Sequence, residues 1–255
     1  MALAIDIGNT NIVLGCFHGD DIEFIARIAT ERNRTTEQYA AEIKGIIQLY
    51  DKDPKNIEGS IISSVVPPLT TVLKSAVERI TGKVPLIVGP GLKTGLNIKI
   101  DNPAQLGSDL VVTAVAGIRQ YPLPQIIIDM GTATTLSVIN ANGEYVGGVI
   151  APGVNLSINA LSAHAAQLPA IALSKPKKVY GTNTVDCMTS GAIYGNAAMV
   201  DGMIERITDE LGQHPVVIAT GGIAKAIVPY CKHQVLLNDD LLLQGLASLY
   251  YKNKK

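Results

Sequence analysis

Two short runs of this chain have residue types and spacing suited to phosphate chemistry. The first is Asp6-Ile7-Gly8-Asn9-Thr10 and the second is Asp129-Met130-Gly131-Thr132-Ala133. Each places a carboxylate at the end of an apolar strand and follows it with glycine and amide or hydroxyl residues. Glycine lets backbone N–H groups approach phosphate oxygens, Thr or Asn adds donors, and an Asp can hold Mg²⁺. Either run alone also reads as a simple turn containing Asp and Gly. Two copies in matching contexts, with a further glycine pair at Gly221-Gly222, favour a divided phosphate site lying between two related halves.

The elements that must carry these runs alternate in type, which argues for an α/β class. LAIDIGNTNIVLGCF (3–17) reads as two strands about a tight loop, with His18, Gly19 and Asp20 as a second turn. A helix follows through Ala40, Ile43, Ile46, Ile47 and Tyr50, opened by a capping-box pattern at Thr35 and Gln38. The strand SIISSVV precedes a helix begun by Pro67 and Pro68 and stopped by Gly82. A short strand at PLIVG, a polar loop over 94–102 and a helix through Val111 to Ile118 complete the first half. QIIIDMGTATTLSVINANGEYVGGVIAPG then repeats the opening as strand, turn, strand, turn, strand.

The remainder reads as a small-residue helix over 157–166, a loop to Thr184, and a helix over about 185–211 carrying Gly191, Gly195 and Gly202. The strand VVIATGGIA and an apolar C-terminal helix at LLLQGLASLYY follow. Glycine inside a helix costs roughly 1 kcal/mol relative to Ala, so those three glycines point to close packing, including packing across a dimer interface. The expected domains are 1–117 and 118–255, with the break near 117–122 and a C-terminal helix able to cross back.

Composition narrows the function classes. In 255 residues the net charge is −1, and charged residues make up only 17%, which excludes a disordered, highly charged chain and leaves no basic stripe for nucleic acid or anionic lipid. Hydrophobic residues reach 47% with no Trp and 2 Phe, so the core must be aliphatic. Cys16, Cys187 and Cys231 stand far apart, as do the four histidines, so neither a disulfide framework nor a zinc site is expected. The N-terminal residues enter a strand directly and no apolar run approaches ~18 residues. A cytoplasmic protein without membrane partners is the expectation.

The motifs together resemble the acetate kinase, sugar kinase and actin superfamily, and within it the type III pantothenate kinases. DIGNTNIVLG (6–15) is similar to that family's first phosphate motif and DMGTATT (129–135) to its second; SSVVPP, GLKTGLNI, GGVIAPG and ATGG also recur in it. The likeness runs from Leu3 to about Leu246. It implies two duplicated ribonuclease-H-like, actin-like ATPase domains with a nucleotide cleft between them. It also implies ATP-dependent phosphorylation of pantothenate to 4'-phosphopantothenate, the first step of coenzyme A biosynthesis.

By the same resemblance, Asp6, Ile7, Gly8, Asn9, Thr10, Asn11, Ile12, Val13 and Thr132 bind ATP, and Asp6 holds Mg²⁺ through water. Asp129 binds a monovalent cation, K⁺ or NH₄⁺, and Asp109 is the catalytic base. Gly107, Ser108, Asp109, Leu110, Ile100 and Thr184 bind the acceptor, and a homodimer is expected. Two departures fall on the acceptor side. The family usually has Gly-Ala-Asp-Arg where this chain has Gly107-Ser108-Asp109-Leu110, and Tyr where it has Ile100. Leu offers neither the charge nor the five donors of a guanidinium. Lys93 and Lys99 are the nearby candidates for a replacement cation, though both also read as solvated loop lysines, and Arg119 lies further along the helix with a poorer reach. The alternatives are a kinase of another small hydroxylated acceptor and a non-catalytic nucleotide-binding regulator.

Overall fold

The computed structural model describes residues 1–19 and 21–254; Asp20, expected in a turn, lies outside the described residues. The first sheet opens with β1 (Ala2–Ile7), β2 (Asn11–His18) and β3 (Asp21–Ala29), an antiparallel meander. Helix α1 (Thr36–Leu49) follows, then β4 (Gly59–Ser64), α2 (Pro67–Thr81) and β5 (Leu86–Ile87). Strands β4 and β5 add in parallel, giving the order β3-β2-β1-β4-β5. The local signals work as read. Thr35 Oγ1 accepts from Gln38 N while Gln38 Oε1 accepts from Thr35 N. Helix α2 starts at its prolines and ends at Gly82.

Strand β6 (Asn97–Ile98) and helix α3 (Ser108–Gln120) precede the second meander, β7 (Gln125–Met130), β8 (Ala133–Ile139) and β9 (Glu144–Pro152). Then come α4 (Val154–His164), α5 (Thr184–Ser190), a π-helical turn at Gly191–Gly195, α6 (Asn196–Leu211), β10 (Val216–Thr220), α7 (Ala224–Ile227), β11 (Leu236–Leu237) and α8 (Leu241–Asn253). The second sheet has the order β11-β10-β7-β8-β9-β6. With β10 and β11 parallel to β7, it repeats the first topology and adds β6 at the edge. This is the α/β duplication that the paired motifs predict.

The chain forms two compact units. One comprises Met1–Leu96, Asn102–Ala116 and Asp240–Lys255, the other Asn97–Asp101 and Gly117–Asp239. Against a simple 1–117 and 118–255 division, two segments change sides. The loop expected over 94–102 contains β6, which pairs with β9 through Asn97 and Ile98, and Asn97 Nδ2 donates to Glu144 Oε1 at 2.7 Å. The C-terminal helix α8 buries Leu243, Leu246, Leu249 and Tyr250 against Ala2, Ala4, Phe17 and Ile61 of the first sheet. That aliphatic face would otherwise stand in water, at roughly 1.5–3 kcal/mol per large side chain.

Both cores are aliphatic. In the first unit, β1 and β2 pack through Leu3, Ile5, Ile7, Ile12 and Leu14 against Tyr39, Ile43, Leu69, Leu73 and Val77 of α1 and α2. In the second, Ile126, Ile128 and Leu136 meet Val200, Ile204 and Ile207 of α6. The helical glycines do not behave as a close-packing stripe within the chain. A Cβ placed on Gly191 or Gly195 would meet no atom within 4 Å, and one on Gly202 would meet only the Arg206 guanidinium. Among the described residues no helix is long and apolar enough to cross a membrane.

Candidate active site

In the first unit, Asp6 is the penultimate residue of β1 and lies in register with Val13 on β2 and Ser63 on β4. The turn 8–10 closes with Gly8 N donating to Asn11 O at 3.0 Å. Asn9, Thr10 and Asn11 are exposed, whereas Ile7 and Ile12 are completely buried core side chains. Ile7 and Ile12 can therefore meet a ligand only through main-chain groups, while Asn9, Thr10 and Asn11 present side chains as well. Thr30, beyond β3, clamps the turn from outside: its N donates to Thr10 O at 3.0 Å and its Oγ1 to Gly8 O at 2.7 Å.

The second unit repeats the arrangement with a shorter turn. Asp129 on β7 faces Thr135 on β8 and Thr220 on β10. Here six positions separate the paired residues, against seven between Asp6 and Val13, so only Gly131 and Thr132 lie between the strands. Gly131 N donates to Ala133 O at 2.9 Å, and Gly153 N, at the start of α4, donates to Thr132 O at 3.1 Å. Gly221 sits against Asp129: it has φ +94°, and a Cβ there would fall 2.5 Å from Asp129 Oδ1 and 2.7 Å from Met130 N and O. Thr135 Oγ1, in register with Asp129, is buried with no hydrogen-bond partner. Directly opposed residues in a ladder share a face, so Asp129 and Thr135 offer oxygen atoms of the kind a hard cation takes.

The residues expected on the acceptor side are divided in the chain between the two units. Ser108 and Asp109 open α3 in the first unit. The Ser108 hydroxyl is committed to the end of β4: it donates to Ser64 O at 3.0 Å, accepts from Ser64 N at 3.1 Å and lies 3.1 Å from Ser63 Oγ. Thr70 Oγ1 donates in turn to Ser64 Oγ at 2.8 Å. Asp109 Oδ1 accepts from Leu110 N at 2.9 Å, in space that only a glycine at 107 leaves open. Burial pushes the Asp109 carboxyl above its ordinary range, against the opposing pull of main-chain hydrogen bonds from Leu110 and its own N–H. Leu110 is half-buried.

Ile100 and Thr184 belong to the second unit. Ile100 is half-buried just beyond β6; Thr184 is exposed at the start of α5, where Asn183 caps the helix by accepting from Asp186 N at 2.9 Å. Of the replacement cations, Lys99 is drawn to Glu144, 3.8 Å away, Lys93 lies on an exposed loop whose main chain is bonded to Asn253, and Arg119 is in the last turn of α3. Sequence reasoning missed Thr30 and Thr135. Thr30 acts across a strand pairing, and the place of Thr135 opposite Asp129 appears only once the β7–β8 register is known. Among the described residues no three His, Cys, Asp or Glu side chains gather as a metal-binding group.

Known proteins resemble the chain in sequence and in fold. The family model described as type III pantothenate kinase matches residues 2–206. A type III pantothenate kinase of Halalkalibacterium halodurans is 44% identical over 253 residues, covering 99% of this chain and 100% of that one. Among solved structures, a Campylobacter jejuni protein described as a Baf family transcriptional activator aligns with TM-score 0.62 and 18% identity over 98% of both chains. Component A of the Acidaminococcus fermentans (R)-2-hydroxyglutaryl-CoA dehydratase aligns with TM-score 0.55 and 15% identity over 98% of this chain and 97% of its own. At those identities the two structures speak for the fold alone. With its paired Asp-x-Gly turns, its repeated sheets and its full-length likeness to curated relatives, this chain belongs to the type III pantothenate kinase family.

Proposed function

We propose that this chain transfers the γ-phosphoryl group of ATP to the terminal hydroxyl of pantothenate, giving 4'-phosphopantothenate on the route to coenzyme A. The observation that carries the reading is Asp109, a largely buried carboxylate in the first turn of α3 with its proton affinity raised, in a chain whose curated relatives are type III pantothenate kinases. An ordinary carboxylate is a feeble base toward an alcohol. Phosphoryl transfer through a loose transition state asks mainly for positioning, so Asp109 would orient the hydroxyl and take its proton late.

In this reading the turn after Asp6, through Val13, holds ATP phosphates by main-chain N–H groups and the side chains of Asn9, Thr10 and Asn11, and Thr132 contributes from the second turn. Asp6 would hold Mg²⁺ through water; with no cluster of His, Cys, Asp or Glu ligands among the described residues, the ion would rely on phosphate oxygens and waters. Mg²⁺ bound with ATP would neutralise charge on the phosphates. Asp129 would hold K⁺ or NH₄⁺, and the unpaired Thr135 hydroxyl opposite it fits an oxygen-ligated cation. Gly107, Ser108, Leu110, Ile100 and Thr184 would shape the acceptor site. We also read the protein as a cytoplasmic homodimer; a light-scattering mass of 26.9 kDa rather than twice that would rule the dimer out.

The test is direct: purified protein with ATP, Mg²⁺ and K⁺ should convert pantothenate to a product heavier by one phosphoryl group. No transfer by a folded protein refutes the reading. A second reading keeps the chemistry and changes the acceptor, because Leu110 and Ile100 present half-buried apolar groups. A panel of small alcohols in which another acceptor outruns pantothenate would favour it, as would a large gain in pantothenate turnover from Leu110→Arg with Ile100→Tyr.

A further inference from the structure

Between β3 and α1 the chain runs Thr30-Glu31-Arg32-Asn33-Arg34, and this loop is fastened on two sides. Thr30 ties it to the turn after Asp6 through Gly8 O and Thr10 O. Tyr39, wholly buried in the first core, holds Glu31 from the other side: its hydroxyl accepts from Glu31 N at 3.0 Å and donates to Glu31 O at 2.9 Å. Two guanidinium groups leave the loop. Arg34 is neutralised by Glu31 at 2.8 Å and by Glu42, and lies over the Tyr39 ring. Arg32 is exposed and forms no ion pair among the described residues. Its Nη2 donates to Asn9 Oδ1 at 3.3 Å, a neutral amide at the tip of the turn between β1 and β2.

A full positive charge is thus held without a counter-charge beside a turn of exposed residues, by a loop pinned to both the turn and the core. The chain carries 21 cationic against 22 acidic side chains, so it has no net positive charge to gather anions, and a local cation is what such a turn would need. A guanidinium suits an oxyanion with several acceptor oxygens, since it can donate two parallel hydrogen bonds. By occupying Asn9 Oδ1, Arg32 also leaves Nδ2 as the free end of that amide, a second donor at the same place.

We propose that Arg32 is a phosphate-binding residue, pairing with the phosphate chain of the nucleoside triphosphate at the turn of residues 8–10. This rests on the reading of that turn as the nucleotide site and adds to it a residue from another part of the chain. The test is calorimetric titration of the Mg²⁺ complex of the imido analogue of ATP into the full-length protein and its Arg32→Gln and Arg32→Lys variants. Losing a charge-assisted phosphate contact should weaken binding by roughly 10-fold to 100-fold in Arg32→Gln. Arg32→Lys, which keeps the charge but not the fork, should fall between. The deficit should narrow at high salt, since exposed charges are screened, and the KM for pantothenate and the melting temperature should hold. Arg32→Gln within twofold of the parent, or a change confined to the pantothenate KM, overturns the proposal alone. A parent protein that binds no nucleotide overturns the site reading along with it.

Discussion

Replacing Ser108 with alanine should loosen Asp109, the proposed base, from its support without touching the turn of residues 8–10. The hydroxyl joins the first turn of α3 to the end of β4 through three contacts of 3.0–3.1 Å, and one of its partners, Ser63, is fully buried. A lost hydrogen bond costs about 0.5–1.5 kcal/mol net, and a buried group left unpaired about 1–3 kcal/mol. For this set we expect about 2–3 kcal/mol, which for a chain of this size lowers the melting temperature by roughly 5–10 °C. Catalysis should suffer separately, because Asp109 is the next residue and a shift of about 1 Å can cost on the order of 100-fold. The expected pattern is a fall in kcat of about tenfold or more with the KM for ATP unchanged, since Thr30 clamps the turn 8–10 independently. Denaturant unfolding and an assay coupled to ADP release would measure both. A stability change below about 0.5 kcal/mol, the floor for one hydrogen bond, together with kcat within twofold would refute the bracing argument.

Three further substitutions probe the same chemistry. Asp109→Asn should abolish turnover. Burial holds the native carboxyl above its unfolded value, so the native state keeps the proton longer and stability falls as pH rises through that window. Asn should therefore raise the melting temperature at neutral pH, with the gain shrinking toward acid; a variant melting lower than its parent at pH 7.5 would contradict this. In the parent, the acid limb of the kcat/KM profile should lie above the ordinary carboxylate range. Gly221→Ala must find room for a Cβ 2.5 Å from Asp129 Oδ1 at φ +94°, and should lose about 2–4 kcal/mol in denaturant unfolding from backbone strain and overpacking. Thr135→Val removes an unpaired buried hydroxyl and should leave stability equal or higher while raising the K⁺ concentration needed for activation; unchanged K⁺ titration curves would separate Thr135 from the cation.

Much of the framework was legible because it is written in local physics. Thr35 with Gln38, Pro67 with Gly82, and the period of Ile43 and Ile47 act within one or two helical turns. The duplication was legible because each copy repeats a whole strand-turn-strand unit. Strand β6 was not, since two residues carry no periodicity, and its identity comes from pairing with β9. The exposed helix face at Gly191 and Gly195 likewise gives no sign in sequence of meeting nothing within the chain.

Sequence by itself determined the chemistry on offer: two carboxylate-glycine turns, a carboxylate at the head of a helix, and too few cations to gather phosphates by surface charge. Tertiary structure alone decided how those groups are held. It shortened the second turn by one residue through the β7–β8 register, turned the Ser108 hydroxyl inward to β4, carried α8 back to the first sheet, and brought Arg32 to Asn9. Each of these depends on burying apolar faces and pairing strand edges between residues far apart in the chain, and such contacts leave no local pattern from which they could be read.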